Sequence, residues 1–143
     1  MKIKLKLILL LIAVSFIVFI GCKKHDNGLA ITIEQISTAA NDEKGYTETG
    51  TFTTSGGIQT SGTFVMEVVF VADSFYCTNK LIAHEGTFTT RLKCSATTNT
   101  GDWQVISGTG HYALLRGGGT LVMKYPPGVV GVEILTGKVF LGW

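Results

Sequence analysis

The side chains with types fit for chemistry are few and far apart. His25, His84 and His111 show no His-x-x-x-His spacing, and Cys22, Cys77 and Cys94 show no Cys-x-x-Cys, so no ligand set for a metal is written into the chain. Ser74, Ser95 and Ser107 stand outside any Gly-x-Ser-x-Gly elbow, which leaves no catalytic nucleophile assigned. The one phosphate-binding spelling is Gly108-x-Gly110-x-x-Ala113, within "SGTGHYALLRGGGT". Such a fingerprint works only where a strand meets the N-terminus of a helix. Here "LLRGGGTLVMKY" follows, and Gly117, Gly118 and Gly119 would each weaken a helix by about 1 kcal/mol relative to alanine. No nucleotide or other cofactor is therefore expected, and these glycines read as hinges, bulges or turns in a β structure.

Two charged residues stand out. Glu67 lies in "FVMEVVFVAD" between strongly apolar neighbours. If Phe64, Met66, Val68 and Phe70 share one face, Glu67 shares the other with Val65, Val69 and Val71. That face is either an outer surface or a cavity, and in a cavity Glu67 would bind a ligand or transfer a proton. Arg116, in "LRGG", either closes a turn by bonding carbonyls or offers a cation at a barrel end.

The cysteines have separate expected fates. Lys2, Lys4 and Lys6 precede an apolar run from Leu7 to Ile20 that ends on Gly21-Cys22, the plan of a secretory signal too short to span a bilayer comfortably. The end of that run resembles the bacterial lipobox, with Phe19 departing from its usual leucine. The resemblance implies cleavage after Gly21, lipidation of Cys22, and a chain held by its lipid to the bacterial cell envelope. Loss of the leader moves the formal charge from +2 to −1, which removes the basic character that a nucleic-acid partner would need. Cys77 and Cys94 remain, an even pair in an oxidising compartment. A hairpin turning on Glu85-Gly86, with His84 facing Thr87, would set Cys77 opposite Cys94 and allow a disulfide. Two buried free thiols, or an earlier turn, are the other readings.

The elements that must position these groups are strands. Residues 1–21 are expected to leave as a signal peptide, 22–30 to form a polar tether, and 31–143 to fold as one domain. From Ile31 the chain is rich in Thr, Val, Phe, Tyr and Gly, and lacks helical periodicity. The segment 86–96 alternates cleanly, with Phe88, Thr90, Leu92, Cys94 and Ala96 on one face and Thr87, Thr89, Arg91, Lys93 and Ser95 on the other. Further strands are expected at 46–54, 64–71, 74–83, 103–107, 111–115, 119–125 and 130–141, with a turn at Arg116–Gly119. "ITIEQISTAA", from Ile31, reads as a strand or a single helical turn. Strands this short and this numerous make an all-β sandwich or an antiparallel barrel.

The motifs Gly101-x-Trp103, Gly108-Thr109-Gly110-x-Tyr112, Leu115-Arg116-Gly117-x-Gly119-Thr120 and Leu135-Thr136-Gly137-Lys138-Val139 narrow that choice. With "GTFTTSGGIQTSGT" before them, they resemble a group of secreted bacterial proteins whose barrel is like those of allene oxide cyclase and dirigent proteins. The resemblance implies an eight-stranded antiparallel barrel with a central cavity. It transfers no catalytic residue, because the matching positions are glycines and aromatics of the scaffold. The functional expectation is a lipid-anchored barrel that binds an apolar small molecule or an envelope partner. The alternative is an isomerase or cyclase for a hydrophobic substrate, with Glu67 as its polar participant.

Overall fold

A computed structural model describes residues 28–42 and 45–142; the leader, Cys22 and His25 lie outside the described residues. Eight strands follow one another in chain order: β1 (Leu29–Asn41), β2 (Tyr46–Gly56), β3 (Ser61–Val71), β4 (Ser74–Ala83), β5 (Gly86–Ser95), β6 (Thr100–Gly108), β7 (Leu115–Lys124) and β8 (Gly131–Leu141). Each pairs antiparallel with its neighbours, and β1 closes on β8 from Leu29↔Val139 to Ser37↔Gly131. This is the closed barrel that the sequence leads one to expect. The β1–β8 ladder leaves no open border, which excludes the sandwich.

Period-two alternation explains why these segments curl into one wall. On β3, Phe64, Met66 and Val68 are buried, while Val65, Glu67 and Val69 face out. On β5, Phe88, Thr90, Leu92 and Cys94 point inward, as read from the sequence. β2 keeps Thr49, Thr51 and Thr53 outside and Phe52 and Thr54 inside, so its β-branched residues suit an exposed strand face. The ambiguous "ITIEQISTAA" is strand, with Ile31, Ile33, Gln35 and Ser37 all inside.

Two local expectations are corrected. No strand runs through His111, because Gly110–Tyr112 is one turn of 3-10 helix. Nor is Arg116–Gly119 a turn, because those residues lie within β7. The glycines act there through close approach rather than chain reversal. A Cβ at Gly119 would stand 2.0 Å from the Thr136 carbonyl oxygen, and one at Gly117, where φ is +139, 2.2 Å from that of Lys138. Backbones of β7 and β8 pressed this closely together tolerate only glycine.

One barrel end is sealed by apolar packing. A register shift between Thr89 and Thr90 bulges β6 at Ile106, and the chain then folds back under the barrel. Thr109 N–H donates to the Thr87 carbonyl at 2.8 Å and His111 N–H to the Glu85 carbonyl at 3.0 Å, fastening the 3-10 turn to the β4–β5 hairpin. Tyr112 is thereby driven inward, where its ring lies 5.2 Å from Phe88, and Phe88 meets Phe52 edge-on at 5.9 Å. All three rings are buried. The plug is formed by β1, β7 and β8 together with these rings, through Ile31, Leu115 and Val139.

Candidate functional site

The opposite end is open and differently built. It gathers the start of β2, the end of β3, the start of β4, the end of β7 and the chain between β7 and β8 around a cavity of about 90 Å³. Tyr46, Phe70, Phe75 and Tyr125 supply aromatic walls, Met66, Val68, Met123 and Val130 aliphatic ones, and Glu48 and Cys77 the polar atoms. Phe70 and Tyr125 stand exposed at the rim. Phe70 packs edge-on to Tyr46 at 5.7 Å and tilted to Phe75 at 6.1 Å, so the rings form a connected arc.

Below this mouth the barrel interior turns polar. Gln35, Ser37, Asn79, Thr90 and Glu133 are fully buried, and Glu48 is 7% exposed. Antiparallel register puts them there: Gln35 pairs with Glu133 across β1–β8, Asn79 with Thr90 across β4–β5, and Glu48 with Met66 across β2–β3. The one side-chain hydrogen bond recorded within this group runs across the barrel, from Asn79 Nδ2 to Gln35 Oε1 at 2.8 Å. Gln35 Nε2, Ser37 Oγ, Glu48 Oε2, Asn79 Oδ1, Thr90 Oγ1 and both Glu133 carboxylate oxygens meet no hydrogen-bond partner within the protein. Buried polar atoms without partners are costly, at about 1–3 kcal/mol each, so this cluster is the candidate site of the barrel.

Electrostatics follow from burial. Glu133 is pushed up to about 8, first by desolvation and then by the nearby Glu48 carboxylate. The Ser37 hydroxyl and the glutamate's own backbone pull the other way; Ser37 is near enough to favour the ionised form without reaching hydrogen-bond geometry. Cys77 is pushed up to about 12 and Cys94 to about 11, both chiefly by burial. The thiols are therefore protonated and inert at neutral pH. Tyr46 and Tyr125 are also pushed above the usual tyrosine range, first by partial desolvation, then by the charge and hydrogen bond of Glu48 for Tyr46 and by Cys94 and Glu48 for Tyr125, whose ring edge stays exposed. No Lys, Arg or His lines the cavity. Among the described residues, no group of three His, Cys, Asp or Glu side chains has the geometry to hold a metal.

The residues singled out from sequence are not the ones brought together here. Glu67 is exposed on the outer wall, opposite Thr47 and Thr78, and faces no cavity. Its parity matches that of Val65 and Val69, both of which face solvent. Arg116 is exposed at the plugged end, near Leu114 and Gly142, in a surface recess far along β7 from the mouth. It does lie at a barrel end, without closing a turn. Cys77 and Cys94 are buried and free. The hairpin turns on His84-Glu85, one position earlier than the disulfide required, so Cys77 faces Leu92 and Cys94 faces Phe75. That register also separates Lys80 from Arg91 and places Lys93 over the Tyr76 ring at 5.8 Å.

Glu48 and Glu133 were legible in principle. In "YTETGTF" Glu48 shares parity with Phe52, and in "VEILTGKV" Glu133 shares parity with Leu135 and Val139. A carboxylate in register with core residues is a stronger signal than one with apolar neighbours in the chain.

The fold and site together define a closed eight-stranded antiparallel barrel with one plugged end and one open end over buried carboxylates. No protein-family model matches the chain, and none of the curated proteins matches it in sequence. Three chains among the solved structures do match. One is pyocyanin demethylase, with a TM-score of 0.50 and 18% identity over 79% of this chain and 99% of that one. Similarity at that identity is a similarity of barrels, and it carries no residue role across.

Proposed function

We propose that the protein is an envelope-anchored barrel that binds a small, largely apolar molecule at its open end. One observation carries the reading: a buried Glu48 carboxylate oxygen without a partner in the protein sits in a mouth walled by aromatic, methionine and valine side chains. Apolar walls with a few converging polar groups are the usual make-up of a ligand site. Binding of toluene, followed by saturation-transfer NMR, tests it. Val68→Trp, which fills the space from β3, should abolish the signal; toluene binding that survives Val68→Trp removes the site.

Lipidation of Cys22 complements this geometry. Lys23–Gly28 would join the lipid to β1 at the plugged end, a reach of at most about 20 Å. Exposed Leu29, Ile106, Leu114 and Phe140 surround that end, which suits it to face the bilayer while the mouth faces away. Cys22→Ser should shift the protein from the membrane fraction to the soluble one. A variant that stays with the membrane overturns the anchor.

A second reading rests on Glu133, which keeps its proton up to about 8 and so could exchange it near neutrality. This is the isomerase or cyclase alternative with Glu133 in the role Glu67 cannot fill. That a barrel of this fold is named for a demethylase shows only that such a wall can house an enzyme. Deuterium uptake by 2-butanone in D2O, accelerated by the protein and lost in Glu133→Gln, would support it; no acceleration would count against it.

A further inference from the structure

We infer that the open end recognises an organic cation, a tertiary or quaternary alkylammonium head held between the rings of Tyr46, Phe70 and Phe75 above the carboxylate of Glu48. The inference deepens the binding reading above and rests on it. Each class of ligand meets the same walls differently. An anion would face the Glu48 carboxylate with no Lys, Arg or His in the lining to offset it. A hard inorganic cation would have to exchange its water for aromatic and thioether walls, which replace a hydration shell poorly. A neutral hydrocarbon would leave Glu48 Oε2, buried and without a partner, still without one. An alkylammonium head suits both components at once, because its methyl groups contact ring faces and aliphatic walls while its spread charge is attracted by the π systems and the carboxylate.

Size agrees with this choice. A space of about 90 Å³ admits a trimethylammonium-sized head, with any longer substituent leaving past the exposed rings of Phe70 and Tyr125. Glu133, held protonated by its burial and absent from the lining, leaves the Glu48 carboxylate as the anionic partner of the cation.

The test pairs choline with 3,3-dimethylbutan-1-ol, which has the same shape with carbon in place of nitrogen. Titration of the full chain, by calorimetry or ligand-detected NMR, should show choline binding roughly tenfold or more tightly than the alcohol. Glu48→Gln should erase that preference while leaving the alcohol unaffected. Phe70→Leu, at an exposed position that does not threaten folding, should weaken choline several-fold and the alcohol far less. Equal or tighter binding of the alcohol overturns the cation inference and leaves the apolar site standing. If neither compound binds and toluene also fails, the site reading falls with it.

Discussion

The two ends of this barrel share one wall and one alternation of side chains, yet they solve opposite problems. At the plugged end the rings of Phe52, Phe88 and Tyr112 meet in sequence, and the 3-10 turn that brings in Tyr112 is tied down by backbone hydrogen bonds. At the open end the inward positions include Ser37, Glu48, Cys77, Cys94 and Glu133, and four oxygen atoms of Ser37, Glu48 and Glu133 lack partners. The first arrangement gains stability from area removed from water; the second gives some of it up. The contrast teaches that the plugged end builds the scaffold, while the open end keeps the polar groups on which the proposed binding rests.

That contrast can be broken most sharply at the plug. Phe88→Ala should cost about 3–5 kcal/mol in urea denaturation, since it removes a buried ring and leaves a cavity between Phe52 and Tyr112. A loss under 1 kcal/mol would mean that the end is not sealed as described. Reactivity at the mouth comes next. With Cys77 at about 12 and Cys94 at about 11, alkylation by iodoacetamide at pH 8 should be on the order of a thousandfold slower for Cys77 than for a free thiol, and intact mass should be unchanged by reductant. A shift of two mass units would restore the disulfide.

The pH dependence of stability separates the ends more finely. Folded Glu133 keeps its proton up to about 8, whereas in the unfolded chain it ionises near its ordinary value of 4.5. Between those values the folded state binds the extra proton, so stability falls as pH rises, by at most ~1.4 kcal/mol per unit, and the dependence from this group ends above about 8. Glu133→Gln should flatten that slope, as read from urea midpoints at pH 5, 7 and 9; an unaltered slope would assign it to other groups. The smallest effects belong to the outer wall. Glu67→Gln and Arg116→Ala should each change stability by under about 0.5 kcal/mol and leave ligand binding intact, because both side chains are exposed away from the mouth. A binding defect in Glu67→Gln would reopen its candidacy.

The elements of the fold were legible because strand periodicity is local. Phe64, Met66 and Val68 inside with Val65 and Val69 outside follow from the alternation alone, as does the inward row from Phe88 to Cys94. The site was less legible. Glu67 drew attention through its chain neighbours, but in a strand those neighbours point the other way, and what matters is parity with Leu135 or Phe52, the measure that picks out Glu133 and Glu48. The cysteine pairing failed for a related reason: moving a two-residue turn by one position changes every facing pair in the hairpin, and "AHEG" permits either choice.

Determined by sequence alone were the all-β class, the alternation of faces, and the glycines that no helix could accommodate, since each depends on a few consecutive residues. Tertiary structure decided that β1 closes on β8, that Tyr112 turns inward as a plug, and that Glu48 and Glu133, 85 positions apart in the chain, come near one another inside the barrel. Those outcomes depend on register and curvature summed around the whole wall, and a one-residue slip in any ladder would have sent the carboxylates out to water.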